Sequence, residues 1–219
     1  RARLERNDLL KKEASLATRF PYTELVKRGC IPQTKDKEKR VENLWKFFGV
    51  NSLEYVQNTE AVAYRKKSGT EIKSESIAAW LRCGELESRR ANLQEYSEPK
   101  LKKSLVKIKS LTAREPEEFS SQIINILNDA GVSLVYIPHF PGTGVSGAVR
   151  WVGDNPLVQL SLYGSFLDIF CFSLFHELGH LILHGKKEKF VEFNDRDLSS
   201  VRDKEKDADK FAGNELIPE

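Results

Sequence analysis

The sequence predicts an α+β chain, in which a helical N-terminal module precedes a domain with a small mixed sheet packed on an H-E-x-x-H helix and on a second, glutamate-bearing helix. Three observations carry that expectation. Residues 1–97 show helical apolar spacing and lack strand signals. Three short segments rich in Val, Leu, Tyr and Trp lie around 132–138, 147–153 and 156–162. His176-Glu177-Leu178-Gly179-His180 then sits inside a strongly apolar stretch.

In chain order, helical spacing runs over Leu9 to Ala17, over Val41 to Phe48 closed by Gly49, and over Ile77 to Arg82. Polar, Gly and Pro clusters near Pro32, Asn51-Ser52, Ser68-Gly69 and Ser97-Glu98-Pro99 punctuate these segments. Trp45, Phe47, Phe48 and Trp80 read as a satellite core, because aromatics at helical spacing usually face inward. A helix follows from Pro99 to about Leu111, and another from Pro116 to Ala130 with Phe119, Ile123, Ile124 and Leu127 on one face. Gly131 ends it. Val152-Gly153-Asp154-Asn155-Pro156 reads as a hairpin turn between the last two strands. Asp168 suits the start of the motif helix, and Gly185 its C-cap, with Lys186, Lys187 and Lys189 beyond at the negative end of the helix dipole.

Two imidazoles four residues apart project from one helix face and can grip a single metal ion. Glu177, beside the first of them, then stands where it can take a proton from water, as in zinc-dependent hydrolysis. Such a site needs three protein ligands. The chain has four histidines, His139, His176, His180 and His184, and the longer H-E-x-x-H-x-x-G-x-x-H spacing is absent, so a carboxylate from another helix is expected. Ala208, Phe211, Ala212 and Leu216 mark an apolar face on residues 204–218, and Glu205 and Asp209 lie at its edge. Glu205 is the expected third ligand. Asp209 can accept the free ring N–H of a ligand histidine and fix its tautomer. His184 lies a further turn along, where drift of the helical face favours a structural hydrogen bond over ligation. The second strand is the expected edge for an extended peptide, with Arg150 and the loop from His139 to Gly144 flanking it and His139 the residue to test as oxyanion stabiliser.

The segment His176 to His184, followed by Glu205-x-x-Ala208-x-x-Phe211-Ala212 and Leu216-Ile217-Pro218, resembles the ImmA/IrrE family of zinc metallopeptidase-like proteins. Leu134 to Pro138, Pro141-Gly142-Thr143, Ser146 to Trp151 and Pro156 to Leu162 resemble the strands preceding the metal helix in that family, so the likeness spans about 115–219. It implies a zincin-like domain over 98–219 behind a helical linker or interaction module over 1–97. Phe20 to Gly29, Phe47 to Val50 and Ala61 to Lys66 resemble the connecting region of the branch fused to a helix-turn-helix, described as HigA-like antitoxins or repressor-type regulators. That resemblance implies a Zn2+-dependent peptidase acting on a specific protein, such as a repressor. The alternative it leaves open is a non-proteolytic antitoxin or transcriptional regulator that binds a toxin, with a structural or sensory zinc module. No helix-turn-helix is present in this sequence, and family members usually continue past Glu219, so the peptidase domain is expected to be truncated. The lack of Met at the start leads to the same expectation for the N-terminus, where a DNA-binding domain is expected.

Composition fits this picture. With 40% apolar and 31% charged residues among 219, the chain can hold one sizeable core and a smaller module. A net charge of +3 does not advertise nucleic-acid binding by the whole chain, and the basic excess of the first forty residues reads as a solvated helix face. Cys30, Cys83 and Cys171 form neither a zinc knuckle nor a disulfide framework, which suits a reducing cytoplasm. No apolar run approaches the length needed to cross a bilayer and no signal peptide opens the chain, so no membrane partner is expected; a homodimer is compatible with the sequence.

Overall fold

The computed structural model describes residues 2–57, 73–111, 116–143, 145–161, 167–185 and 198–216. The Ala61–Lys66 segment, Ser68-Gly69, Lys186, Lys187, Lys189 and Ile217-Pro218 lie outside them. The architecture is mixed α and β, in two compact units.

The first unit comprises Arg1–Cys83 with Phe140–Gly144. It contains α1 (Ala2–Glu13), a 3-10 turn (Leu16–Arg19), α2 (Tyr22–Lys27), α3 (Lys37–Phe48), α4 (Glu54–Gln57) and the first part of α5 (Ser74–Ser88). Asp36 caps α3 by accepting from the Glu38 and Lys39 amides, satisfying donors the first turn leaves open, and Gly49 ends it in the left-handed region. Trp45, Phe47 and Trp80 are buried as a local core. The helix expected over Leu9 to Ala17 is interrupted: α1 stops at Glu13, whose buried carboxylate accepts from Trp45 Nε1 at 2.7 Å, the Ser52 hydroxyl at 2.5 Å and the Leu53 amide at 2.9 Å. A carboxylate so satisfied can sit inside an apolar layer.

The second unit comprises Gly84–His139 with Val145–Glu219. It contains α6 (Glu98–Leu111), α7 (Pro116–Asp129), β1 (Ser133–Tyr136), β2 (Gly147–Val152), β3 (Asn155–Leu160), α8 (Leu167–His184) and α9 (Leu198–Leu216). The sheet order is β1-β3-β2, with β1 parallel and β2 antiparallel to β3. The expected mixed sheet is present. β2 and β3 join through Gly153-Asp154, so β2 lies at an edge. Side chains alternate across a strand, and Val158 and Leu160 point into a core shared with Leu101, Leu105, Ile123, Leu127 and Leu178. Ile123 and Leu127 are fully buried and Ile124 packs on the same core; the Phe119 side chain lies outside the described residues.

Candidate metal centre

The helix α8 is long because little in its sequence opposes it: Leu is its commonest residue, it holds no Pro, Asp168 favours the first turn, and Gly185 follows at φ +60° with its amide on the Leu181 carbonyl. Leu174, Phe175, Leu178 and Leu181 fix one side of it in the core. That leaves His176 and His180 one turn apart on the side that meets α9. Gly179 governs the approach of α9. A Cβ there would lie 2.9 Å from Phe211 Cδ1 and 3.4 Å from the Ala208 Cα, so a side chain at this position would hold the second helix away. Ala208 and Ala212 are fully buried, and Phe211 and Leu216 pack on the core, as their spacing leads one to expect.

This packing brings Glu205 to the histidines. Among the described residues, His176, His180 and Glu205 form the one group of three side chains with metal-ligating atoms in mutual reach. The two Nε2 atoms are 3.1 Å apart. Glu205 places Oε1 3.1 Å from His180 Nε2 and Oε2 3.5 Å from His176 Nε2. For zinc bonds of 2.0–2.1 Å, the edge of a tetrahedron is about 3.3 Å, so this spacing fits three corners of such a site. The donor set also fits, since two imidazoles and one carboxylate suit zinc.

Asp209 stands one turn after Glu205 and reaches the other side of the first imidazole, with His176 Nδ1 and Asp209 Oδ1 at 2.9 Å. With Asp209 Oδ1 accepting, Nδ1 carries the hydrogen, and in the neutral ring that a metal would bind Nε2 keeps its lone pair. Burial lowers the His176 pKa, but the hydrogen bond to Glu205 and the charges of Glu177, Glu205 and Asp209 outweigh it and raise the value above that of an ordinary imidazole. In metal-free protein this raised value stabilises the fold below the unfolded-state pKa, and the contribution is lost as pH rises through the folded-state pKa. Asp209→Asn is therefore expected to lower the titration midpoint of His176 in metal-free protein, read by NMR of the ring protons. The same substitution is expected to weaken zinc binding by about 10- to 100-fold in a competitive chelator titration. An unchanged midpoint and affinity would remove Asp209 from this role.

Glu177 is 8% exposed and is not one of the three grouped ligands. Its side chain lies against the first residue of β2: a Cβ on Gly147 would sit 2.9 Å from Glu177 Cγ, 3.0 Å from Cδ and closer still to Oε1. Glycine at 147 thus gives the carboxylate its place beside the sheet edge. The small-residue run Ser146-Gly147-Ala148 is the sequence signal of this close approach. Gly147→Ala is expected to displace the carboxylate and lower turnover while leaving zinc content unchanged; equal turnover in both proteins would show that its position there is not used.

Arg150 sits on the sheet face opposite Val149 and Trp151, which pack on the core with α8, and its Nη1 is 4.0 Å from Glu85 Oε2. His139, expected beside the peptide groove rather than as a ligand, is half-buried. His184 continues the ring row, its centroid 5.6 Å from that of His180, but its buried Nε2 has no hydrogen-bond partner among the described residues. Phe172, exposed one turn before His176, has its ring centroid 6.2 Å from the imidazole and extends the row in the other direction.

Residues 169–219 match the family model Peptidase_M78, the IrrE N-terminal-like domain. The matched stretch contains every residue of the cluster, His176, Glu177, His180, Glu205 and Asp209, and supports an ImmA/IrrE-like domain in this part of the chain. No curated protein and no solved structure matches the chain. No helix among the described residues is long and apolar enough to cross a membrane.

Proposed function

We propose that the chain is a zinc-dependent metalloendopeptidase-like regulator that hydrolyses a peptide bond in a specific protein partner such as a repressor. The observation that supports this most is the convergence of two imidazoles and a carboxylate on one point, with a second, buried carboxylate, Glu177, next to His176 in sequence. His176, His180 and Glu205 are the residues that would hold the ion. Zinc, when bound, supplies a Lewis acid that polarises a carbonyl and acidifies water.

The chain's own groups do the rest. Asp209 keeps the His176 tautomer fixed. Glu177 accepts a proton from the attacking water and returns it to the departing amine, so one carboxylate serves as base and then as acid. The edge strand β2, which begins at Gly147 beside Glu177, would offer main-chain partners to an extended peptide and so bring a scissile bond toward that carboxylate. In a regulator of this kind, contact with DNA would come from a helix-turn-helix outside this chain.

The test is to incubate the zinc-loaded chain with a peptide library prepared from a digested proteome and to sequence new termini by mass spectrometry. Termini that appear with zinc and vanish with a chelator are expected. A library that stays intact, together with an intact candidate repressor, would overturn the proteolytic reading.

A further inference from the structure

The geometry points to a second chemical site, in the first unit: Cys30 and Cys83 form a dithiol that a hydroperoxide converts reversibly to a disulfide. The two residues are 53 apart in sequence, yet their Sγ atoms lie 3.6 Å from each other. Cys30 is exposed and Cys83 is buried, so the pair has one sulfur open to solvent and one behind it.

Neither position is loose. Cys30 closes α2 in a Schellman motif: its amide donates to the Leu25 carbonyl at 2.9 Å and the Gly29 amide to Val26 at 2.9 Å, with Gly29 at φ +70°. That hydrogen-bond pattern needs a left-handed residue before Cys30, which Gly29 supplies without strain. Cys83 is carried by α5, in the turn that follows the fully buried Trp80. These elements hold the two sulfurs 3.6 Å apart, so a disulfide of roughly 2.05 Å requires them to approach by about 1.5 Å.

The asymmetry assigns the order of events. Burial, and then the neighbouring Cys30, push the Cys83 thiol well up, against the opposing charge of Arg28, so Cys83 remains protonated and unreactive toward solvent oxidants. Cys30 is the sulfur a peroxide meets. Its thiolate attacks one peroxide oxygen; the S–O bond forms, the O–O bond breaks, and Cys30 becomes a sulfenic acid. The Cys83 sulfur then attacks the Cys30 sulfur, the S–O bond breaks, and the departing hydroxide leaves as water with the Cys83 proton. Two thiols and one hydrogen peroxide give one disulfide and two waters, the sulfurs losing two electrons and the peroxide gaining them. A dithiol reductant reverses the bond by exchange.

The third cysteine provides an internal control. Cys171 is buried in α8 of the other unit. Treating the reduced full chain with hydrogen peroxide, quenching with N-ethylmaleimide and mapping peptides should show the free-thiol count fall from three to one, with a cross-linked pair containing Cys30 and Cys83 and with Cys171 alkylated. Dithiothreitol should restore all three thiols. In a Cys83→Ser variant, Cys30 should proceed to a sulfinic acid instead, and in Cys30→Ser the Cys83 thiol should survive the same dose. Because serine in a buried site can unsettle the fold, circular dichroism of both variants accompanies the mapping, and the wild-type result decides by itself. An unchanged count of three, over-oxidised Cys30 beside free Cys83 in the wild type, or a bond involving Cys171 would each overturn the assignment.

Discussion

Glu177→Gln is expected to reduce peptide hydrolysis by about 10²- to 10⁴-fold and to leave zinc content and circular dichroism unchanged. The amide has the shape of the carboxylate and fits the same space against Gly147, but it cannot accept the proton from water. Because Glu177 is not one of the three grouped ligands, losing its charge does not remove a ligand. Rate and metal content therefore separate in this variant, which is what distinguishes a base from a ligand. The same variant separates the two readings of the family resemblance. If Glu177→Gln matches the parent in every functional assay while His176→Ala fails, the zinc module serves a regulator without proteolysis.

Glu205→Ala is expected to take the opposite course and lose the metal with the activity. Two imidazoles on one helix turn remain, with one corner of the ligand set gone, and the purified variant should carry no zinc after gel filtration while the parent retains it. The fold should survive. Glu205 is half-exposed, alanine is a strong helix former, and the face that docks α9 is made by Ala208, Phe211, Ala212 and Leu216 rather than by the carboxylate. The metal-free variant gives up the contacts of Glu205 with His176 and His180 but keeps that apolar docking face, so its circular dichroism should match that of the metal-free parent. A variant that keeps its zinc would place the third ligand elsewhere.

The cluster was legible because each of its members obeys a local rule. The i, i+4 pair puts His176 and His180 on one face, and the apolar period of α9 fixes which carboxylates can turn toward it; those two periodicities suffice to select Glu205 and Asp209. The mixed sheet and its hairpin followed from β-rich segments bounded by turn residues. What stayed hidden depends on contacts distant in sequence. The Cys30 and Cys83 sulfurs meet only in the fold of the first unit, and no spacing rule links positions 53 apart. Glu13 reads as an ordinary helix residue until Trp45, Ser52 and Leu53 are seen to donate to it. The facing of β2 shows the limit of a strand assignment. Alternation says that neighbours face opposite ways, but which face meets α8 is decided by the packing of Val149 and Trp151 on the core.

The ligand set itself is the claim on which the functional reading rests, and zinc K-edge X-ray absorption of the zinc-loaded chain addresses it most directly. The expected spectrum has light scatterers alone at about 2.0–2.2 Å, with the outer-shell pattern of two imidazoles. Asp209→Asn should preserve that first shell, and Glu205→Ala should abolish the bound zinc. Sulfur at about 2.3 Å, or a shell without imidazole scattering, would contradict a site made by His176, His180 and Glu205.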